Sequence, residues 1–471
     1  MTSAPMSASN WQAQGPRTTL VSSSTRIPSS GPAVICCVSS LGVKAQARRE
    51  IVCALHFPAE SATIGRYDSG GKAMTQPITH ALALDRNRDT RARERFVSGL
   101  RGFVLNDLAA TMRTDFESAV ATNLEKEAGD KVLDGADVHR AIRGREIFKA
   151  YSSARCTAQQ MVWDVVMDSI EKQRGQLNST GKSLADKPKA GGTLQLDPDL
   201  EIPRYVEAVD VHLMPGCYYK EYGGEDLAAG ALYDQGLNVF AFGAMGKELN
   251  DIGWSMANFY KNRFAGRQTR RILDVGCTIG HNTLPWKQVF PDAEVHGIDV
   301  AAPCLRYAHA RAEAMGVEAH FHQQSAEDIR FPDNSMDVVF SSMFLHELPN
   351  KAIRQYLAEA HRVLRPGGVL LNMELPPNDR MAAYDQFYLD WDSYYNNEPF
   401  YKDFRDQNPK ELTVAAGFPA DGYFEGVMPR YTYTDEEDFI AMALADPEFG
   451  EDTGRLSDVI FWYGFGSVKQ D

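Results

Sequence analysis

Predicted strands and helices alternate from residue 271 to residue 373, and this alternation constrains the fold more than any other feature of the chain. The strands are predicted at 271–275, 294–298, 319–323, 336–341 and 367–373. Alternation of this kind is typical of βαβ units and a parallel sheet. Further along, "PKELTVAAGF" predicts a last helix, and "YFEGVMPRYTY" and "VIFWYGFGSVK" predict two more strands. The sequence therefore predicts an α/β fold with seven strands.

The chain has 471 residues, which suits two or three domains rather than one. No Asp or Glu precedes Glu50, so the first 73 residues have the composition of a transit peptide or of a gene start placed too far upstream, with Met74 as the slightly favoured true start. We predict four segments, which are an extension without a core (1–73), a helical N-terminal domain and linker (74–199), a bridging or cap segment (200–265), and the α/β domain (266–471) with an aromatic lid insert (378–404).

Two amphipathic patterns predict the N-terminal helices. One stripe at helical spacing consists of Phe96, Leu100, Phe103, Val104 and Leu108. A second helix is predicted to begin at Thr157, which has capping-box spacing to Gln160, and residues 178–199 are predicted to be a loop or linker. Such stripes usually form a core or a dimer interface, and a homodimer through these helices is one interpretation.

The stretch "RILDVGCTIGHNT" (271–283) predicts a strand that ends in a tight turn beneath a nucleotide. Asp299 follows Gly280 by 19 residues, at the strand end where a carboxylate holds ribose hydroxyls. The dinucleotide fingerprint GxGxxG is not matched, because Thr278 and His281 occupy the second and third glycine positions after Gly276. A ligand with a ribose but without a pyrophosphate fits better, and S-adenosylmethionine is the common one.

Five strings match one family in order and spacing, and they are "LDVGCTIG", "GIDV", "QQSAEDIRFPDNSMDVV", "DVVFSSMFLHEL" and "RVLRPGGVLL". The sequence here resembles the class I S-adenosylmethionine-dependent methyltransferases, in particular the type 11 group that includes quinone-biosynthesis C-methyltransferases. The resemblance covers roughly residues 265–375 well and 405–469 loosely. It implies a Rossmann-like seven-stranded methyltransferase sheet with S-adenosylmethionine as cofactor.

The resemblance also implies a set of cofactor-binding residues. They are Asp274, Gly276, Cys277, Gly280, Asp299, Val300, Ala326 and Glu327. In the family, the position of Asp274 bonds towards the ammonium group of the cofactor and that of Asp299 bonds to the ribose. Ser325 stands where the family pattern has an Asp, which puts the usual bond to the adenine amino group in doubt.

The acceptor is expected at the carboxyl ends of strands four and five, where open α/β sheets bind ligands. His346 follows strand four and has a suitable pKa for a general base, although a helix-start residue bonded to backbone is the alternative. Two aromatic segments supply candidate substrate residues, namely Tyr218 and Tyr219, and Trp391 and Tyr394; the alternative is that these aromatics pack the lid onto the N-terminal helices.

No metal is expected. His320 and His322 share one face of a strand, but no third ligand follows nearby, so a structural role is predicted for them.

These features predict a methyltransferase that acts on a small molecule, with the accepting atom (O, N, S or C) left open. The alternatives are a noncatalytic S-adenosylmethionine-binding or assembly subunit, a protein methyltransferase and, least favoured, a nicotinamide dehydrogenase. The net charge of -14 argues against nucleic acid as a partner. No apolar window is long enough for a membrane span, and seven unpaired-looking cysteines suit a reducing compartment. A cytoplasmic location is predicted, or organelle import if residues 1–73 are a transit peptide.

Overall fold

The computed structural model describes residues 80–457 and 459–470. The expectations for residues 1–73 and for a start at Met74 lie outside the described residues. The described chain is built on one sheet of eight strands, whose bounds are β1 Thr193–Gln195, β2 Arg271–Val275, β3 Glu294–Asp299, β4 His320–Gln323, β5 Met336–Ser342, β6 Leu364–Glu374, β7 Tyr423–Pro429 and β8 Phe461–Val468.

The strand order is β1-β4-β3-β2-β5-β6-β8-β7, and the pairs from β1 to β6 are parallel while β8 runs antiparallel to both β6 and β7. The predicted count of seven strands is wrong by one. The extra strand is Thr193–Gln195, which pairs with β4 and lies inside the segment 178–199 that the sequence predicted as a loop. A three-residue edge strand is too short to leave a periodic pattern in a sequence.

The chain turns in opposite directions from β2, since β3 lies on one side of it and β5 on the other. Loops that leave the carboxyl ends of two such strands run apart and open a crevice between them. The sheet is covered on both faces. Along β5, Val338 and Phe340 pack on one side, and Val339 packs on the other with Leu357.

The helices are α1 Arg88–Phe103, α2 Ala109–Phe116, α3 Thr122–Ala128, α4 Gly135–Ile142, α5 Glu146–Asp186, α6 Arg204–Glu207, α7 Ala228–Phe240, α8 Asp251–Arg263, α9 Thr283–Val289, α10 Ala302–Met315, α11 Asn350–Val363, α12 Ala383–Tyr394, α13 Tyr401–Arg405, α14 Pro409–Ala415 and α15 Glu436–Leu444. Five-residue π-helical segments join α1 to α2 and α2 to α3. None of the helices in the described part of the chain combines the length and apolarity that a membrane crossing requires.

Helix α5 differs from the prediction at both ends. It begins at Glu146, so Thr157 is an interior residue and not a cap, and it continues to Asp186 through the first half of the predicted loop. No proline interrupts this stretch, and its Gly181 permits close packing, because a Cβ there would lie 2.5 Å from the Leu227 side chain. Val162, Trp163 and Val166 of α5 pack against α7 and α10.

The apolar stripe of α1 is also displaced from the predicted one. Phe96 is 56% exposed, whereas Val97, Val104 and Leu105 are buried. Arg101 lies on the same buried face, one helical turn from Val97 and from Leu105, and it is only 1% exposed. A charged residue in the middle of the buried face hid the true stripe from a pattern based on hydrophobicity.

Candidate active site

A cavity of about 240 Å³ opens at the crevice beside β2. One wall consists of the loops that follow β2, β3 and β5, and it includes Gly276, Asp299 and His346. The opposite wall comes from outside the strand–helix alternation and includes residues of α1, of α5, and of α12 and α13 in and beside the 378–404 insert. The cavity therefore joins the predicted cofactor loops to the N-terminal helices and the predicted lid.

The glycine loop carries three residues with positive φ, namely Gly276 (77°), Thr278 (48°) and Gly280 (70°). A Cβ on Gly276 would lie 2.4 Å from the Phe344 ring, so only glycine fits there. Both Gly276 and Cys277 donate their backbone N–H to the Ile298 carbonyl, which holds the loop against β3. Gly276, Cys277 and Thr278 line the cavity, and cofactor binding by the first two stays a prediction.

Asp299 lies at the end of β3 and lines the cavity. Its Oδ2 accepts the Thr278 N–H and its Oδ1 accepts the Ala301 N–H, each at 2.9 Å. Burial raises the pKa of this carboxyl to about 6, against the opposing effect of these two hydrogen bonds. A carboxylate has about four acceptor positions, so two remain for a diol such as that of a ribose.

Two predicted cofactor residues lie behind the loop and do not line the cavity. Gly280 packs against Phe321 and Ala308. Asp274 is buried, its Oδ2 accepts the Thr283 hydroxyl at 2.6 Å, and its Oδ1 has no hydrogen-bond partner. Burial raises the Asp274 pKa to about 7. A buried carboxylate oxygen without a partner calls for an explanation, and the role of Asp274 towards an ammonium group stays a prediction.

Of the residues predicted to bind the adenine side of the cofactor, some line the cavity and one does not. Val300 and Ala326 line the cavity, whereas Glu327 does not. Instead, Glu327 accepts the hydroxyl of Tyr205 at 3.3 Å, and Tyr205 reaches the cavity from the bridging segment. The hydroxyl oxygen of Ser325 accepts the backbone N–H of Glu327, so this side chain bonds within its own loop.

His346 lines the cavity, and each of its ring nitrogens faces a carboxylate. Nδ1 lies 2.7 Å from Glu374 and Nε2 lies 3.7 Å from Glu398 of the insert. Although burial opposes the charge, the two carboxylates raise the pKa of His346 to about 9. At neutral pH the ring is a cation, so it has no free lone pair in this arrangement. The role of general base stays a prediction, and the geometry also makes the ring a link between Glu374 and the lid.

A second, partly buried histidine connects the bridging segment to the same network. His212 places Nε2 3.1 Å from Glu347 and Nδ1 3.2 Å from Glu398, and these carboxylates raise its pKa to about 10 despite burial. Tyr218 donates its hydroxyl to Glu347 at 2.9 Å and lines the cavity. Of the predicted substrate residues, Tyr218 is therefore the one that reaches the cavity.

The other three predicted substrate residues do not line the cavity. Tyr219 packs among the residues between α5 and α10. Trp391 stacks on the His139 ring with centroids 3.7 Å apart, and Tyr394 is 45% exposed at its edge. The insert does cover the cavity, but through other residues, which are Tyr388, Leu389, Asp392, Asn396, Glu398 and Tyr401.

Sequence reasoning missed the arginines of the opposite wall, which are the buried Arg101 and Arg155 and the partly buried Arg455. The sequence signal that could have revealed them is a charged residue on an otherwise apolar helical face, as at Arg101.

His320 and His322 bond to Thr193 and Gln195 of the edge strand. Within the described ranges, no group of three or more His, Cys, Asp or Glu residues could hold a metal ion.

Comparison with known proteins agrees with this geometry. Residues 272–368 match the model of a family described as a methyltransferase domain. The chain carries a methyltransferase domain. This domain is built on a mostly parallel α/β sheet that has an additional edge strand.

Relatives align with the region of this methyltransferase domain. A demethylmenaquinone methyltransferase from Thermus thermophilus is 38% identical over 24% of this chain and 50% of its own length. A fatty-acid O-methyltransferase from Mycolicibacterium smegmatis is 30% identical over 26% of this chain and 43% of its own length. A solved structure of Haemonchus contortus phosphoethanolamine N-methyltransferase 2 with S-adenosyl-L-methionine is 21% identical over 50% of this chain and 57% of that chain, with a TM-score of 0.35. The chain spans about half the length of the curated relatives it matches.

Proposed function

We propose that this protein transfers a methyl group from S-adenosylmethionine to a small-molecule acceptor. The observation that carries the proposal is the shared cavity, which is lined on one side by Gly276 and Asp299 and on the other by Arg101, Tyr388 and other residues outside the methyltransferase domain. Cofactor and acceptor would thus meet inside one enclosed space. The relatives act, by their names, on a demethylmenaquinone and on fatty acids, which are small molecules with large apolar parts.

Bound S-adenosylmethionine supplies an activated methyl group on a sulfonium. The residues of this chain would bind and orient: Asp299 would accept the ribose hydroxyls, Val300 and Ala326 would line the adenine side, and the narrow cradle at Gly276 would admit the amino-acid part. Asp274 would supply its unpaired oxygen towards the ammonium group. The lid and the N-terminal helices would exclude water, which strengthens electrostatic interactions within the site.

The accepting atom remains open among O, N, S and C. A protein substrate is disfavoured, because residues of α12 and α13 line the cavity and narrow the approach of a folded protein to the glycine loop. A noncatalytic S-adenosylmethionine-binding subunit is the second candidate, and it shares the cofactor half of the proposal. A cytoplasmic location and a homodimer through the N-terminal helices belong to the same proposal, and sedimentation of the purified chain would test the dimer.

The test is titration calorimetry with S-adenosylmethionine, S-adenosylhomocysteine and NAD. We expect heat with both sulfur nucleosides and none with NAD. Asp299→Ala should weaken binding of S-adenosylhomocysteine, since each lost hydrogen bond contributes about 0.5–1.5 kcal/mol. Asp328→Ala, a change at an exposed carboxylate outside the cavity, is the matched control. A folded protein that binds neither nucleoside would refute the proposal.

A further inference from the structure

The wall opposite the glycine loop contains two buried arginines and two carboxylates of the insert, Asp392 and Glu398, and Glu398 is paired with His212 and His346. Arg101 and Arg155 are each 1% exposed, and both line the cavity. Asp392 of the insert accepts two hydrogen bonds from Arg155, so its carboxylate forms an ion pair with Arg155 and not with Arg101. Burying a cation without a negatively charged partner costs free energy. Among the described residues, the hydrogen-bond partners of Arg101 are a carbonyl and an amide oxygen, and no carboxylate forms an ion pair with it.

The hydrogen bonds of Arg101 leave one nitrogen unused. Its Nε donates to the Phe240 carbonyl at 2.9 Å, and its Nη1 donates to the side-chain oxygen of Gln159. The same Gln159 oxygen accepts Arg155 Nη1, while the Gln159 amide nitrogen donates to the His212 carbonyl. Gln159 is thereby fixed with its oxygen towards the arginines. The remaining nitrogen of Arg101, Nη2, is buried without a hydrogen-bond partner.

Arg455 adds a third guanidinium at the same wall. It lines the cavity, lies over the Tyr388 ring at 4.7 Å, and donates to the Leu105 carbonyl at 2.8 Å. Its Nε is also buried without a hydrogen-bond partner. The acids that act on Arg455 are Asp452 and Glu451, at the exposed side of the chain. Two unsatisfied guanidinium N–H groups thus lie on residues that line one cavity.

We infer that the methyl acceptor carries an oxyanion, a carboxylate or a phosphate ester, which binds at Arg101 and Arg455 while its apolar body lies along Leu105, Phe240 and Leu389. The forked donors of arginine match the geometry of both oxyanions. The inference rests on the proposed function, because it assigns the acceptor side of the same cavity. It also explains why the N-terminal helices, which are outside the methyltransferase domain, carry buried charge.

The experiment compares matched probes on the full chain without cofactor: octanoate, its neutral isostere octanamide, and octyl phosphate. We expect octanoate or octyl phosphate to bind about 10- to 100-fold more tightly than octanamide in calorimetry, as charge-assisted hydrogen bonds do. Tighter binding of octyl phosphate than of octanoate indicates a phosphate ester, and the reverse order indicates a carboxylate. Equal binding of the amide and the anions, or no binding of either anion, overturns the inference.

Variants separate the charge from the fold. Arg101→Met should abolish the preference for the anions, Arg101→Lys should keep part of it, and Arg354→Gln, at an exposed residue that does not line the cavity, should leave it unchanged. If Arg101→Met does not fold, Arg455→Gln must reduce the preference instead. S-adenosylhomocysteine is titrated into each protein separately. Nucleoside binding without anion preference refutes this inference alone, whereas anion preference without nucleoside binding refutes the proposed function alone.

Discussion

Thr278 has a backbone conformation that favours glycine. Its φ of 48° lies between those of two glycines in the loop, and its N–H donates to Asp299. The left-handed conformation costs a residue with a Cβ roughly 1–2 kcal/mol. This is more than the free-energy cost of the extra conformational entropy that a glycine loses on folding. The family that the sequence resembles has a glycine at position 278. This chain therefore has a strained threonine beside the proposed ribose site.

Thr278→Gly should therefore raise the free energy of unfolding by up to about 1 kcal/mol, because the strain is relieved while the Thr278 N–H remains. The measurement is urea denaturation. Thr122→Gly is the matched control, since Thr122 is exposed and has a right-handed helical φ of -58°, and there the same change should destabilise the protein. A loss of stability in both variants would show that the strain at Thr278 is compensated by contacts of its side chain.

His346 links stability to pH. Its folded pKa of about 9 is above its ordinary value of 6.5, so the protonated ring stabilises the fold fully below pH 6.5 and this contribution is lost as pH rises through about 9. Between pH 7 and 9.5 the melting temperature of the native protein should fall more steeply than that of His346→Gln. His361→Gln is the control, because burial lowers the pKa of His361 and so moves it away from this range. Parallel curves for the native protein and His346→Gln would contradict the assignment.

The same substitution tests the catalytic hypothesis once an acceptor is known. If the ring takes a proton from the acceptor, kcat should fall by about 10²- to 10⁴-fold in His346→Gln while S-adenosylhomocysteine affinity is retained. If the ring only joins Glu374 to Glu398, kcat should stay nearly intact and the stability effect should remain. Loss of nucleoside binding would assign His346 to the cofactor site or to the fold.

At the scale of elements, the lid helix α12 uses two faces for different purposes. Tyr388, Leu389 and Asp392 face the cavity, whereas Trp391 stacks on His139 of α4. The sequence predicted an aromatic insert at 378–404, but five aromatics within one helix do not reveal which face meets the cavity. That depends on where α4 and α5 lie, and their position is a tertiary property.

Trp391→Ala should lower the free energy of unfolding by about 1–3 kcal/mol, because a large, partly buried ring is removed from the contact between α12 and α4. Tyr394→Ala should change it by less than about 1 kcal/mol, since that side chain is 45% exposed. Urea denaturation measures both variants. If Trp391→Ala instead weakened octanoate or octyl phosphate binding without loss of stability, the original substrate hypothesis for Trp391 would be restored.

Strands β2 to β8 were predictable because buried strands and the turns between them leave strong local patterns. The bounds of β2 agree with the prediction, whereas β6 begins at Leu364 instead of 367 and ends at Glu374 instead of 373, so "RPGG" lies within the strand. The positions of Gly276 and Asp299 at the ends of β2 and β3 were predictable for the same reason, while their role in cofactor binding stays a prediction. Arg101, Arg155 and Glu398 were not, because they come from three distant segments that meet only in the folded chain.

At the scale of the whole molecule, the division of the chain is still a prediction. Residues 74–199 were predicted as a helical domain of their own, yet Trp163 and Val166 of α5 pack against Tyr307 of α10, and the segment 193–195 extends the sheet. A buried interface of this kind couples the unfolding of the two parts.

Two shortened chains separate the possibilities. A chain that begins at Met74 should unfold at the same urea concentration as the full chain and bind S-adenosylhomocysteine equally, because residues 1–73 have the composition of a segment without a core. A chain that begins at residue 200 lacks α1 to α5 and exposes the apolar side of α10, so we expect a lower midpoint, binding of a hydrophobic dye, and loss of the preference for octanoate or octyl phosphate over octanamide. If the chain from residue 200 kept the midpoint of the full chain, the helices would be an independent domain. If it also kept the preference for the anions, Arg101 and Arg155 would have no part in binding, and the cavity wall that they form would serve the fold alone.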